Sequence, residues 1–297
     1  MEPTNSSPEI LPEKDSLLKS IGWSAIKLIA YGVAVILISL GLIAPLGMVF
    51  QGQNESISKG DLSEGNIWVL IITWGMALIA SILVTFFFCR YIEKKPLSWA
   101  GFTMRQSGRS SLVGFIWGAG MVTLGFLVLF LFGWVKIAAV DFLAGSLLTW
   151  ALFLFLAAAF EEVLLRGYIM NMFERHFNTK IALIVSSLIF GFLHVPNANV
   201  SFIGILNIIL AGVILGIAYL ESRNLWFPTM LHFAWNYFQG IIYGFEVSGN
   251  KTYSLIQQEL AGPAWLTGGD FGFEGSILSV LVLLWFLWYY RKQLIVA

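Results

Sequence analysis

The side chains in this sequence that could carry out acid–base chemistry cluster in three short apolar segments. The segment TWALFLFLAAAFEEVLLRGYIM contains Glu161, Glu162 and Arg166. A second segment, SLIFGFLHVPN, contains His194, and a third, FPTMLHFAWN, contains His232 and ends in an asparagine. Because a charged or polar group among apolar residues is costly unless it is paired, these residues are the first candidates for a functional site.

The spacing within these segments indicates how the side chains are arranged on helices. Glu162 and Arg166 are four residues apart, so they share a helix face and can form an ion pair. His232 and Asn236 have the same spacing. Glu161 points about 100° away from Glu162 and is left without that partner. An ion pair that only joins two helices explains Glu162 and Arg166, but it gives no reason for the second carboxylate.

A carboxylate, two imidazoles and a carboxamide that meet in a low-dielectric cavity are suited to activating water. Glu161 could act as a general base. The imidazoles of His194 and His232 could either bind a divalent metal ion or hydrogen-bond a developing oxyanion. Asn236 could serve as a ligand or as an oxyanion donor. No serine or cysteine in these segments stands out as a nucleophile, so the residues favour direct hydrolysis by water.

The composition shows which kind of protein must position these residues. The chain has 297 residues, of which 58% are apolar and 11% are charged, and its 17 basic residues balance 17 acidic ones. A soluble globular enzyme of this size has too little interior for so much apolar surface, and a disordered chain needs the opposite composition. Zero net charge offers no basic surface for nucleic acid. The single cysteine, Cys89, excludes a disulfide framework and a cysteine-rich metal cluster.

Eight stretches are long and apolar enough for membrane helices, which need about 20 residues each. The sequence therefore predicts an all-α fold, a polytopic membrane bundle of about eight transmembrane helices. The predicted spans are 22–50, 67–89, 111–135, 146–175, 180–196, 201–220, 225–244 and 275–291. Residues 1–20 are predicted to form a polar tail, and the loop 245–274, which is rich in glycine, is predicted to be irregular.

The basic residues outside these spans are distributed unequally between the two sides. If the N-terminus lies inside, the inside segments contain Lys14, Lys19, Arg90, Lys94, Lys95, Arg105, Arg109, Arg175, Lys180, Arg223, Arg291 and Lys292. The outside segments contain Lys59, Lys136 and Lys251, and they hold most of the acidic loop residues, including Glu246, Glu259 and Glu274. The positive-inside rule therefore predicts cytoplasmic N- and C-termini.

Helix lengths predict the depth of the candidate residues. Glu161 lies 14 residues before Arg175, and His194 lies 14 residues after Lys180, so both are about 21 Å from the inner boundary. His232 is only nine residues after Arg223, or about 13 Å, which is a looser match. The expectation is a site within the bilayer that is reached from the cytoplasmic side.

The three segments resemble the motifs of a known family. EEVLLRG, FGFLH and HFAWN are similar to the EExxxR, FxxxH and HxxxN motifs of the CAAX protease and bacteriocin-processing family, which are intramembrane endopeptidases and include the type II CAAX prenyl endopeptidases. The resemblance covers roughly residues 145–245. It divides the chain into the tail 1–20, three helices in 21–144, a catalytic core in 145–245, and a loop and last helix in 246–297.

The resemblance implies a role for each candidate residue. Glu161 would activate water, and His194 would be its partner in proton transfer. His232 and Asn236 would bind a metal ion or stabilise the oxyanion, and His194 and His232 would be the ligands of a divalent metal. Glu162 and Arg166 would support the site. The substrate would be a membrane-associated peptide or protein, in a prokaryotic cell membrane.

A second hypothesis is a transporter or scaffold without enzymatic activity, in which the buried glutamate, arginine and histidine residues form an ion or proton relay. Transporters often show internal repeats and helices that are broken at mid-membrane. Neither feature is evident in this sequence. A cleavage assay separates the two hypotheses.

Overall fold

The protein folds into a bundle of apolar helices. The structure, a computed structural model, describes residues 14–47 and 64–296. The helices of more than ten residues in these ranges are α1 (Lys14–Gly47), α2 (Glu64–Phe87), α3 (Ser107–Leu131), α4 (Ala144–His176), α5 (Thr179–Leu193), α6 (Phe202–Ser222), α7 (Trp226–Asn236) and α8 (Ile277–Val296), and a single helical turn, Ala264–Thr267, precedes α8. Three of them contain or continue into a π-helical stretch, at Phe88–Glu93 after α2, at Val163–Met170 within α4 and at Tyr237–Ile242 after α7.

The predicted all-α class and the polytopic character are confirmed. Each predicted span contains one helix, and five segments are long and apolar enough to cross a membrane: Leu17–Pro45, Asn66–Glu93, Ser107–Leu131, Ala144–His176 and Phe202–Ser222. Thr179–Leu193 and Ile277–Tyr290 are apolar but shorter. With this helix pattern, the chain is an integral membrane protein.

Several predicted boundaries differ from the structure. Helix α1 begins at Lys14, so residues 14–20 of the predicted tail are helical. Residues 1–13 and Lys59 lie outside the described residues. Helix α5 ends at Leu193 rather than at 196, because Pro196 disfavours a helical residue before it. The short polar stretch before the first apolar run has no helix-breaking residue between Lys14 and Ser20, so α1 continues through it.

Two short strands were missed by the helix-based prediction. Strand β1 (Val135–Val140) pairs antiparallel with strand β2 (Ile256–Leu260), with Val135 opposite Leu260. The predicted third helix includes Val135, the first residue of β1, and the predicted irregular loop 245–274 includes all of β2. A short apolar run has no periodicity that separates helix from strand, and Gly133, with φ +72°, ends α3 just before β1.

Helices α3 and α7 pack with their backbones in direct contact. A Cβ atom on Gly114 would lie 2.4 Å from the carbonyl oxygen of Phe227, and one on Gly118 would lie 2.3 Å from that of Leu231. Small residues allow such close approach between membrane helices. Since His232 follows Leu231 directly, this contact fixes the position of the histidine in the bundle.

We expect the substitution Gly118→Val to destabilise the protein, because the new side chain would overlap the α7 backbone. Overpacking of this kind lowers the free energy of unfolding by about 1–3 kcal/mol. Gly120→Val is the matched control on the same helix, since a Cβ there meets no atom within 4 Å. The measurement is thermal unfolding in detergent. Equal unfolding temperatures for the two variants would show that the α3–α7 contact is looser than described.

Candidate active site

A buried ion pair lies at the centre of the candidate site. The Nη1 atom of Arg166 donates to Oε1 of Glu162 at 2.9 Å, and both side chains are fully buried. Its Nη2 atom donates to the carbonyl oxygen of Gly212 on α6 at 2.9 Å. The guanidinium carbon also lies 4.8 Å from the ring centroid of Phe190 on α5. The predicted pair between residues four apart is therefore formed, and Arg166 joins α4 to α5 and α6.

The same carboxylate orients one of the histidines. Nδ1 of His232 lies 3.1 Å from Oε1 of Glu162. An ionised carboxylate can only accept a hydrogen bond, so Nδ1 of His232 is the donor. The opposite ring atom, Nε2, lies 4.0 Å from Oε2 of Glu161. Glu162 therefore holds the imidazole of His232 with Nε2 directed toward Glu161.

The second histidine is oriented by the backbone. Nδ1 of His194, just after the end of α5, lies 2.8 Å from the carbonyl oxygen of Phe190. A carbonyl oxygen only accepts, so Nδ1 carries the proton of this bond. Nε2 of His194 then lies 3.9 Å from Oε2 of Glu161. Both imidazoles thus present Nε2 to the same carboxylate oxygen.

Glu161 is the residue on which these contacts converge. Its two distances to the Nε2 atoms, 3.9 and 4.0 Å, are longer than direct hydrogen bonds, which span about 2.7–3.2 Å. Polar groups separated by more than about 3.5 Å are commonly bridged by water. Oε2 of Glu161 is buried and has no hydrogen-bond partner among the described residues. The geometry is suited to a small polar molecule held between one carboxylate and two imidazoles.

A change of helix type follows the two carboxylates. Helix α4 is regular up to Glu162 and is π-helical over Val163–Met170. The side chain of Asn171 donates to the carbonyl oxygens of Arg166 and Gly167, at 2.8 and 3.0 Å. Wider helical turns of this kind are frequent at functional sites. No pattern in the sequence predicted the π-helical stretch.

The candidate residues divide into a cavity wall and a layer behind it. Glu161, His194, His232 and Asn236 all line a cavity of about 1150 Å³. The ion pair lies behind this wall and outside the cavity lining, fully buried. The rest of the lining is mostly apolar and includes Leu28, Gly32, Leu70, Trp74, Phe153 and Phe160. The structure therefore brings five of the six predicted site residues into one cluster, and Asn236 lines the same cavity.

The proximity that was predicted from the helix positions is found in the structure. Glu161 and His194 lie side by side as expected. His232, whose predicted position along its helix matched less well, also lies beside Glu161. The expected access from the cytoplasmic side stays a prediction. The cavity is lined by the α5–α6 connection at 197–199 and by residues 246–252 after α7, at the end of the bundle opposite Arg175 and Arg223. Helix α5 has only 15 residues, so His194 lies at its far end rather than at mid-depth.

Sequence reasoning missed Glu274, a further carboxylate on the same cavity. Glu274 was assigned to the acidic outside loop, but only 6% of its surface is exposed. Oε2 accepts a hydrogen bond from Oγ of Ser248 at 2.7 Å, and Oε1 accepts one from Nε2 of Gln239 at 3.2 Å. The glycines around Glu274 indicated only a loop. Its burial depends on the fold of residues 243–276, for which the sequence has no periodic pattern.

Burial raises the pKa of the Glu274 carboxyl, against the opposing effects of Ser248, His194, His232 and Gln239. A carboxyl whose pKa is higher in the folded state binds more protons there than in the unfolded state, so stability falls as pH rises through that range. We expect the unfolding free energy to decrease as the pH rises above about 4.5 toward the folded-state pKa.

The check is thermal unfolding across this pH range in the wild type and in Glu274→Gln. The variant should show a flatter pH dependence, because its amide does not titrate. Glu259→Gln, at an exposed position on β2, is the matched control and should keep the wild-type slope. An unchanged slope in Glu274→Gln would show that this carboxyl does not titrate differently in the folded protein.

Comparison with known proteins identifies the part of the chain that contains this cluster. A family model described as "Type II CAAX prenyl endopeptidase Rce1-like" matches residues 143–238, about a third of the chain. All six candidate residues lie within the matched range. No curated protein and no solved structure matches the chain. The predicted resemblance is thus confirmed over this range: residues 143–238 are similar to the Rce1-like type II CAAX prenyl endopeptidase family.

Proposed function

We propose that this protein is an intramembrane endopeptidase in which Glu161 and His194 activate the water that attacks the peptide bond. One observation carries the proposal: Oε2 of Glu161 faces Nε2 of His194 at 3.9 Å and Nε2 of His232 at 4.0 Å, across a gap in a cavity. The family match supports peptide hydrolysis as the reaction.

The arrangement supports a sequence of steps that hydrolyses a peptide bond with one water molecule. Water lies between the three residues, donates one hydrogen bond to the Nε2 lone pair of His194 and transfers its other proton to Glu161. Its oxygen forms a bond to the carbonyl carbon, and the carbonyl electrons move to the oxygen. The amide group of Asn236 donates to this oxyanion. When the C–N bond breaks, the carboxyl of Glu161 returns the proton to the leaving nitrogen.

A divalent metal ion at His194 and His232 has less support. No group of three or more His, Cys, Asp or Glu side chains in the described ranges has the geometry of a metal site, although Glu161, His194 and His232 converge on one point. Structural and catalytic metal sites in proteins use at least three such ligands. The proposed hydrolytic sequence uses no metal. Treatment of the purified protein with a chelator tests whether the activity requires a metal ion. We expect the treated protein to keep its activity to within about twofold, because loss of a catalytic Lewis acid would lower the rate by far more.

The cavity lining supports a membrane-associated peptide as the substrate. Its walls toward α1, α2 and α4 are apolar, whereas polar residues such as Asn199, Ser248 and Thr252 line the part formed by the loops. Gly32 on α1 lines the cavity, and a Cβ atom there would meet nothing within 4 Å. A hydrophobic segment can therefore enter from the α1 side, and its scissile bond can reach Glu161.

The distribution of charge supports an orientation for this enzyme. Arg90, Arg175 and Arg223 lie at one end of the bundle, and the positive-inside rule assigns that end to the cytoplasm. Both termini are then cytoplasmic, and the cavity lies toward the opposite face. Cleavage would occur in the outer half of the bilayer. A prokaryotic cell membrane stays a prediction from the resemblance.

A cleavage assay tests the proposed function. The full chain is reconstituted in liposomes with a panel of single-span peptides, and the products are identified by mass spectrometry. We expect cleavage of at least one peptide within its apolar segment, with no effect of serine- or cysteine-directed reagents. Proton or ion flux across the liposomes without any cleavage would instead support the relay hypothesis and contradict the protease.

A further inference from the structure

A second polar feature lies far from the candidate active site, where α2 ends. Arg90, Lys94 and Lys95 line a pocket of about 440 Å³, together with Phe86, Pro96 and Leu97. All three basic side chains are exposed. The pocket belongs to no motif of the matched family segment, which begins at residue 143.

The backbone at the end of α2 builds this pocket. The helix widens into a π-helical turn over Phe88–Glu93, and Lys94 then adopts a left-handed conformation with φ +55°. The amide of Lys95 donates to the carbonyl oxygen of Cys89 at 2.8 Å, which closes the turn. A residue other than glycine rarely adopts the left-handed backbone conformation, and it keeps that conformation only when its surroundings fix it. The reversal brings Lys94 and Lys95 to the same pocket as Arg90.

These three cations lack the partners that neighbouring basic residues have. Lys27 and Arg175 both pair with the buried carboxylate of Glu93, at 2.8 and 2.7 Å. Glu93 is the acidic residue nearest in sequence to the pocket, but it is directed into the bundle. Within the described ranges, no acidic side chain forms an ion pair with any of the three pocket cations, so the pocket carries an uncompensated positive charge.

The surroundings of the pocket indicate the kind of anion that it would bind. Phe86 and Phe87 are 47% and 51% exposed, and Tyr91 is 61% exposed. These apolar rings belong to the surface of a membrane-spanning helix, so they face lipid chains. A basic pocket that adjoins a lipid-facing surface at a helix end matches a phosphate headgroup with its acyl chains attached. A free anion would gain nothing from the aromatic rings.

We propose that this pocket binds the headgroup of an anionic phospholipid. The phosphate would contact Arg90, Lys94 and Lys95, and the acyl chains would lie along Phe86 and Phe87. Arginine and lysine are the residues that bind phosphate in proteins, by bidentate hydrogen bonds and as a point charge respectively. This proposal does not depend on the proteolytic function.

The test measures lipid binding to the full chain in neutral detergent by native mass spectrometry. The probes are phosphatidylglycerol, phosphatidylcholine and inorganic phosphate. The triple variant Arg90→Gln, Lys94→Gln, Lys95→Gln removes the pocket charges. The matched control, Arg105→Gln, Arg109→Gln, Lys180→Gln, removes three exposed basic residues from the same end of the bundle but from outside the pocket.

We expect phosphatidylglycerol to bind the wild type more tightly than the other two probes. The pocket variant should lose about tenfold or more of this affinity, and the control at most about twofold, since only the pocket cations would contact the headgroup. Equal losses in the two triple variants would overturn the proposal, because they would reflect general surface charge. Equal binding of inorganic phosphate would overturn the assignment to a lipid. The single variant Arg90→Gln serves if the triple variant does not fold.

Discussion

Replacement of Glu161 by glutamine is expected to lower the rate of peptide hydrolysis by about 10²–10⁴-fold, the usual contribution of a general base. The glutamine side chain would keep the size of the glutamate but could not accept the proton of water. Glu161 makes no direct hydrogen bond through Oε2 in the described residues, so the variant should fold normally. The measurement is the initial rate of product formation in liposomes, together with the unfolding temperature.

The control for this prediction is Glu259→Gln, which removes an exposed carboxylate from strand β2 and should retain full activity. His194→Ala should also lose most of the activity, because His194 orients the same water. If Glu161→Gln retained wild-type rates while folding normally, Glu161 could not be the base. Some other group on the cavity, such as the carboxylate of Glu274, would then have to take its place.

The second large effect concerns stability. Arg166→Met removes the cation that pairs with Glu162 at 2.9 Å and that donates to the carbonyl of Gly212. Breaking one partner of a buried ion pair leaves an uncompensated charge and costs about 3–5 kcal/mol. The predicted result is a large fall in unfolding temperature in detergent. The carboxylate of Glu162 would be left with His232 as its only remaining partner among those described.

The double variant Glu162→Leu, Arg166→Met is the matched control for this prediction. It removes both charges, and replacement of a complete buried pair by apolar residues is often neutral for stability. We expect it to recover most of the lost stability but not the activity, since His232 would lose the carboxylate that orients it. A single variant as stable as the wild type would show that Arg166 is not required to hold α4, α5 and α6 together.

The sequence was sufficient for the parts of this protein that depend on local spacing and on composition. Four-residue spacing predicted the Glu162–Arg166 pair, because residues at that distance lie on one helix face in any context. Low charge and long apolar runs predicted the helical bundle, since backbone groups in a membrane must be satisfied within each helix. Glu161, His194 and His232 were predicted to lie together because ionisable residues are rare in apolar segments.

The parts that the sequence could not predict depend on long-range packing. The carboxylate of Glu274 becomes buried only because residues 243–276 fold back over the cavity, with Ser248 and Gln239 as its donors. The surroundings of His194 were not predicted, because the end of α5 was placed at residue 196, whereas the helix stops at Leu193 and the connection after it lines the cavity. The pairing of β1 and β2 joins segments more than 100 residues apart, and local patterns carry no information about such contacts.

Glu161 is proposed to activate the water that becomes part of the product. The fate of this water is measured in a single-turnover reaction in H₂¹⁸O that is quenched early and analysed by mass spectrometry. We expect one ¹⁸O atom in the new carboxyl terminus, no peptide fragment attached to the protein at any time, and no detectable product with Glu161→Gln. A protein mass raised by an acyl fragment, or labelled product at a wild-type rate from Glu161→Gln, would contradict this proposal.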